Sequence, residues 1–212
     1  MKKKTLLIVL SILLISIFSI STTIAFMTSK ETDNNTFTIG NVSIKLVESK
    51  VDELGNKTGE ETSITNVYHL MPGYTYTKDP TIIVEDKSSD SYVRILITLN
   101  NVSKIKDIYG EDFSLEDIYS NWGENWIYTT KKDNSDGTIT YEYRYKDVVD
   151  GENGDIKLEP LFTEFTVPGQ TTRNELENLQ ELKVTIKGQA IQAASFKNAD
   201  EAWKGFVKQY SE

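Results

Sequence analysis

A mainly β fold is predicted for this chain: a two-sheet antiparallel sandwich of jelly-roll type, with short flanking helices and a C-terminal amphipathic helix. Three observations predict it. Between Ser91 and Asn100, Val93, Ile95, Ile97 and Leu99 alternate with Tyr92, Arg94, Leu96 and Thr98, and a period of two is that of a strand with two distinct faces. About nine short runs of this kind are separated by turn residues, which is the spacing of a sandwich. Only the end of the chain, with Phe196, Ala199, Trp203, Phe206, Val207 and Tyr210, recurs at helical spacing after Asn198, so one closing helix is expected to lay its apolar face on a sheet.

The first element is an export signal. Lys2, Lys3 and Lys4 form a basic head, Leu6 to Ile20 an apolar body, and Thr23-Ile24-Ala25 a small-residue exit of the kind a signal peptidase cuts. Cleavage is expected between Ala25 and Phe26, which divides the chain into a signal peptide (1–25) and a single domain (26–212) that begins with an extended arm (26–40). A retained membrane anchor is the rival reading, since no charge lies between Lys4 and Lys30 and roughly 20 apolar residues span a bilayer. Against it, Ser16, Ser19, Ser21, Thr22 and Thr23 dilute the apolar body, and contact with the membrane is expected only before cleavage.

Within the arm, Phe37 and Ile39 alternate in one phase and Val42, Ile44 and Leu46 in the other, with Gly40-Asn41 at the slip. A glycine there marks a bulge or bend at which a strand can change partner or sheet. Val51 to Ser63 reads as a loop or a long hairpin tip. Val67 to Met71 carries a strand pattern into the turn Pro72-Gly73, and Tyr74 to Thr77 resumes it before Lys78-Asp79-Pro80. Thr81 to Glu85 is a β-branched strand, and Ser114-Leu115-Glu116-Asp117 has a capping-box start suited to one or two helical turns. Trp126 to Thr130 and Thr138 to Tyr145 flank a hairpin loop that ends in Asp136-Gly137. Across that hairpin Ile139, Tyr141, Tyr143 and Tyr145 can pair with Trp126 and Tyr128, as a structural aromatic ladder or as a carbohydrate platform. Ile156 to Val167 supplies one or two strands, and Leu182 to Ile186 another.

Composition limits the function classes. Without Lys2, Lys3 and Lys4, 20 basic residues stand against 32 acidic ones, a net charge of −12. Nucleic acid is therefore not an expected partner, because affinity for phosphate rests on Lys and Arg. The chain contains no cysteine, so neither a disulfide nor a thiolate is available, and stability must come from packing.

Several stretches, in order, resemble the TasA/camelysin family over nearly the whole length. They are Ala25-Phe26-Met27-Thr28, Asn35-Thr36-Phe37-Thr38-Ile39-Gly40-Asn41-Val42, Met71-Pro72-Gly73 with Lys78-Asp79-Pro80, Tyr92-Val93-Arg94, and Ala190-Ile191-Gln192-Ala193 with Phe196 and Ala199-Asp200-Glu201-Ala202-Trp203. The chain departs from the family pattern at Gly188-Gln189 and at Ala194-Ser195. The resemblance implies export by a Gram-positive bacterium, processing by a SipW-type signal peptidase, and residence in the extracellular biofilm matrix or at the cell surface. It also implies a jelly roll that assembles into fibres with itself or with related matrix subunits. The assembly strand is then expected to run from Phe26 through Phe37 and Ile39 to a hinge at Gly40, adding to a neighbour's sheet edge.

The same resemblance carries an alternative, a surface metalloendopeptidase of camelysin type. A catalytic zinc normally takes three protein ligands, often two histidines as H-E-x-x-H. This chain has one histidine, His69, which leaves carboxylates such as Asp79 or Glu85 to complete a set. No G-x-S-x-G elbow is present, and no pair of carboxylates is singled out for glycoside chemistry. Asp150 to Asp155 offers oxygen ligands for calcium but departs from the EF-hand pattern. The expectation is therefore a structural protein without a catalytic residue, metal or cofactor.

Overall fold

A computed structural model of the protein describes residues 37–39, 41–62, 66–180, 183–194 and 196–210. In chain order the strands are β1 (Phe37–Ile39), β2 (Ile44–Val51), β3 (Lys57–Thr62), β4 (Thr75–Thr77), β5 (Thr81–Val84), β6 (Ser88–Leu99), β7 (Tyr119–Ser120), β8 (Trp126–Asp133), β9 (Ile139–Tyr145), β10 (Val149–Gly151), β11 (Ile156–Lys157), β12 (Glu164–Thr166) and β13 (Val184–Gln192). The helices among the described residues are α1 (Val102–Tyr109), α2 (Arg173–Gln180) and α3 (Ala199–Tyr210), with a 3-10 turn at Leu115–Asp117.

The fold is mainly β, as expected, and its sheets pack as a sandwich. One sheet runs β1-β13-β6-β9-β8, with β10 also on β6, and a second runs β11-β5-β2-β3. β9 and β10 share one side of β6 in tandem, β9 on Arg94 to Leu99 and β10 on Ser88 to Ser91, which is why β6 is the longest strand. Between the two sheets, Val93, Ile95, Ile97 and Leu99 meet Ile44, Leu46, Ile82 and Val84, all buried in one cluster. A small third sheet, β4-β12-β7, lies apart from both ladders.

Several expectations are corrected. Among the described residues the ladders are antiparallel except one: β1 pairs with β13 in parallel. No short turn joins these two strands, so the hairpin constraint that forces antiparallel neighbours is absent. Among the described residues thirteen strands form instead of about nine, because bridges of two or three residues, such as β7 and β11, are too short to show a period. Val67 to Met71 is not a strand. Its backbone is held by a buried side chain instead: Tyr76 Oη donates to the His69 carbonyl at 2.8 Å and accepts from the Met71 N–H at 2.7 Å.

The strand expected to end at Ile186 continues to Gln192 through Gly188. Glycine weakens a strand interior unless another group approaches closely, and one does. A Cβ on Gly188 would lie 3.0 Å from Ile82 Cδ1 and 3.5 Å from Ile44 Cδ1, so the missing side chain sets how near the second sheet can come. At Ser114 the capping box forms, with the Ser114 N–H donating to Asp117 Oδ2 at 2.7 Å. It starts only the 3-10 turn, because Tyr119 and Ser120 pair with β12.

Candidate functional site

The feature with most scope for function is the edge of the first sheet. β13 is matched along all nine of its residues by β6 on one side, Val184↔Leu99 to Gln192↔Ser91. On the other side it meets only Phe37↔Gln189, Thr38↔Ala190 and Ile39↔Ile191. Among the described residues, Val184 to Gly188 has no strand partner on that side. After β1 the chain crosses to the second sheet, where β2 begins at Ile44. The crossing is tied by the Asn41 carbonyl, which accepts from the Ser89 N–H at 2.8 Å, and by the Ser43 N–H, which donates to Ser88 Oγ at 3.0 Å. Of the residues assigned to the assembly strand, Phe37 and Ile39 lie in β1; Phe26, Gly40 and the cleavage junction at Ala25 lie outside the described residues.

Behind this edge the outer face of the sheet is closed by α3. Arg94 is buried although it lies on that face, and it is satisfied from three directions. Its Nε donates to Gln189 Oε1 at 2.7 Å, its Nη1 to Glu142 Oε2 at 3.1 Å, and its guanidinium lies 4.1 Å from the Trp203 ring centre and 5.1 Å from that of Phe206. Arg144 joins Glu142 to Asp200 at the start of α3, 2.5 Å on each side. Burial pulls the Arg94 guanidinium below its ordinary value, and the Glu142 carboxylate opposes that shift. Gln189 is opposite Phe37, so the group that anchors the helix also touches the residue that receives β1. Arg94 could have been noticed in the sequence as the one charge between Ser91 and Asn100; its partners, 48 and 95 residues away, could not.

The candidate catalytic residues are not brought together. His69 is exposed. Asp79 is buried and accepts from the Ser49 N–H and Oγ, both at 2.7 Å, and from Lys57 Nζ at 2.9 Å. Glu85 is bound to Ser43 Oγ and Lys45 Nζ. Among the described residues no three His, Cys, Asp or Glu side chains form a metal-binding group. In the 150–155 loop the carboxylates turn to backbone, Asp150 to the Glu152 N–H and Asp155 to the Asp86 N–H. The aromatic ladder faces inward: Tyr141, Tyr143 and Trp126 are buried, Trp126 stands 5.1 Å from Tyr145, and Trp122 stacks on Tyr143 at 5.0 Å. Only Tyr128 of that group is half exposed, which is no platform for a sugar.

Asp79 gives a pH dependence. Burial alone would raise its carboxyl, but the Ser49 and Lys57 hydrogen bonds outweigh burial and hold it below the ordinary 3.8. A depressed folded value stabilises the fold above the unfolded value, and that contribution is lost as pH falls through the folded one. Urea titration of Asp79→Asn is expected to show a loss of about 1.5–3 kcal/mol near neutral pH, the range for hydrogen bonds to a charged group. The difference from wild type should shrink steadily below pH 3.8; a constant difference would place the cause elsewhere.

Fold and site together define a β-sandwich whose β13 edge is matched, among the described residues, by the three residues of β1. No family model, curated protein or solved structure matches the chain.

Proposed function

We propose that this is a secreted structural protein of a bacterial cell surface or biofilm matrix, a TasA/camelysin-like subunit that self-assembles into fibres by exchange of its N-terminal strand. The observation that carries the reading is the edge at β13. There three residues of β1 hold a place that the same three residues of another copy could take with the same backbone hydrogen bonds, and Val184 to Gly188, without a strand partner on that side among the described residues, could receive the arm residues of that copy. A contact in which each copy gives an arm and receives one is head-to-tail, and such a contact propagates rather than closes. Processing after Ala25 by a SipW-type peptidase is part of the proposal, because it frees the arm at Phe26. The mature net charge of −12 holds copies apart until cations or low pH reduce the repulsion.

The test compares protein starting at Phe26 with protein starting at Asn41, using circular dichroism for the fold and electron microscopy for fibres. Fibres are expected only from the longer form, at low pH or raised salt. The same filaments from the shortened protein would overturn strand exchange, and an exported product that keeps Lys2 to Lys4 would overturn processing.

A further inference from the structure

We propose that a cavity beside the third sheet binds an uncharged, mainly apolar small molecule that carries one hydroxyl or amide group. The cavity has a volume of about 520 Å³, inside the range of sites that enclose small ligands. It shares Val184 with the β13 edge, but it does not rest on the fibre reading. Tyr119 of β7 and Phe165 of β12 form one wall, Tyr68 and Leu70 another, and Tyr109 of α1 with Leu179 of α2 a third. Tyr68 stands edge-on to Phe165 at 5.0 Å, so flat and aliphatic groups alike meet ring surface. Unfilled space of this size forgoes the dispersion contacts that close packing supplies, and an occupant restores them.

The polar groups of the wall specify the rest. The phenols of Tyr68 and Tyr109 already donate, to the Thr77 and Thr166 carbonyls, each at 2.9 Å. Burial pushes the Tyr109 phenol up to about 12, in keeping with an apolar surrounding. Asn66 is also committed, accepting from the Val51 N–H at 3.1 Å and donating to the Ser49 carbonyl at 2.8 Å. Lys78 differs. Its ammonium has three donors, and among the described residues one of them is used, by Glu48 Oε2 at 2.9 Å. Both side chains are buried, 13% and 9% exposed, so the pair is neutral as a unit and offers a donor without a net charge. A cationic head would meet the Lys78 ammonium first, and an anionic one would give up its hydration beside an ammonium that Glu48 already neutralises. A neutral acceptor meets neither penalty.

The experiment titrates the purified protein with N-phenyl-1-naphthylamine, an uncharged apolar fluorophore, and then competes with dodecanol, dodecanoate and dodecylammonium. Saturation at one equivalent is expected, with dodecanol displacing the probe better than either charged chain. Two variants locate the site: Leu179→Trp, which fills the cavity, and Val67→Trp at its rim, where Val67 is 74% exposed and replacement leaves the core untouched. Each is expected to weaken binding about tenfold or more, a loss of about 1.4 kcal/mol, with an unchanged circular dichroism spectrum. Should Leu179→Trp not fold, Val67→Trp alone decides. Unsaturable binding, or binding that the folded variants leave unchanged, overturns the site; stronger displacement by dodecanoate or dodecylammonium overturns the uncharged class.

Discussion

Trp203→Ala is expected to destabilise the protein by about 3–5 kcal/mol, the range for deleting a large buried aromatic side chain. The indole is 2% exposed and packs in one cluster with Ile191, Ala202 and Phe206. It also covers Arg94, whose guanidinium lies 4.1 Å from its ring centre. Removing the ring therefore opens a cavity and exposes one face of a buried cation, and both effects carry the same sign. Trp203→Phe is the informative partner. Among the described residues the buried Trp203 Nε1 has no hydrogen-bond acceptor, so losing that N–H is no loss, and a ring still faces Arg94. Phe should therefore cost well under half as much as Ala, as read from urea midpoints at constant slope. Equal losses for Phe and Ala would mean that the indole shape, not cover over Arg94, holds α3 in place.

Lys78→Met is expected to cost a similar amount, about 3–5 kcal/mol, for a different reason. Glu48 Oε2 accepts from Lys78 Nζ at 2.9 Å, and both side chains are largely out of water. Taking away one partner leaves an uncompensated buried charge, which is where the cost of breaking such pairs arises. The double substitution Lys78→Met with Glu48→Leu should return to within about 1 kcal/mol of wild type, since apolar replacement of a whole buried pair is often neutral. Urea unfolding of the two single variants and the double one forms a closed cycle. If the double variant loses as much as the two single ones together, Lys78 and Glu48 contribute through separate contacts and not as a pair.

How far the sequence could be read depended on range. Alternation in β6 and β9 separated the two faces of each strand, since a two-residue period depends only on which side chains share a side; that Val93, Ile95, Ile97 and Leu99 face the core comes from the structure. The C-terminal helix was legible for the same reason, and Trp203 and Phe206 are buried where their spacing put them. Two helices went unread although their signals were local. Val102, Ile105 and Tyr109 have helical spacing, and Thr172 makes a capping box with Glu175, its N–H donating to Glu175 Oε2 at 2.6 Å. Both segments are short and polar on most sides, so the strand pattern around them dominated. The segment Val67 to Met71 misled in the opposite way. It is rich in apolar residues, but Val67, Tyr68 and Leu70 line a cavity and the backbone hangs on the Tyr76 hydroxyl, a contact that no local pattern reports. The parallel placement of β1, the guanidinium of Arg94 and the Lys78 to Glu48 pair share one property: each joins residues far apart in sequence, and one sequence by itself carries no trace of such pairings.

The parallel ladder of β1 has a consequence in time. Phe37 is made early and its partner Gln189 is separated from it by 152 positions, so at about 5–20 residues per second of synthesis roughly 8–30 s pass before the two can meet. For that interval the first strand to exist is the one without a home, while every hairpin-linked strand pairs as it appears. Closing so long a loop for three residues of ladder yields little against the entropy it removes, which makes this the last pairing to form and the first to open. Amide hydrogens in Phe37 to Ile39 are accordingly expected to exchange far sooner than those of Val93 to Leu99, long before the sandwich itself unfolds.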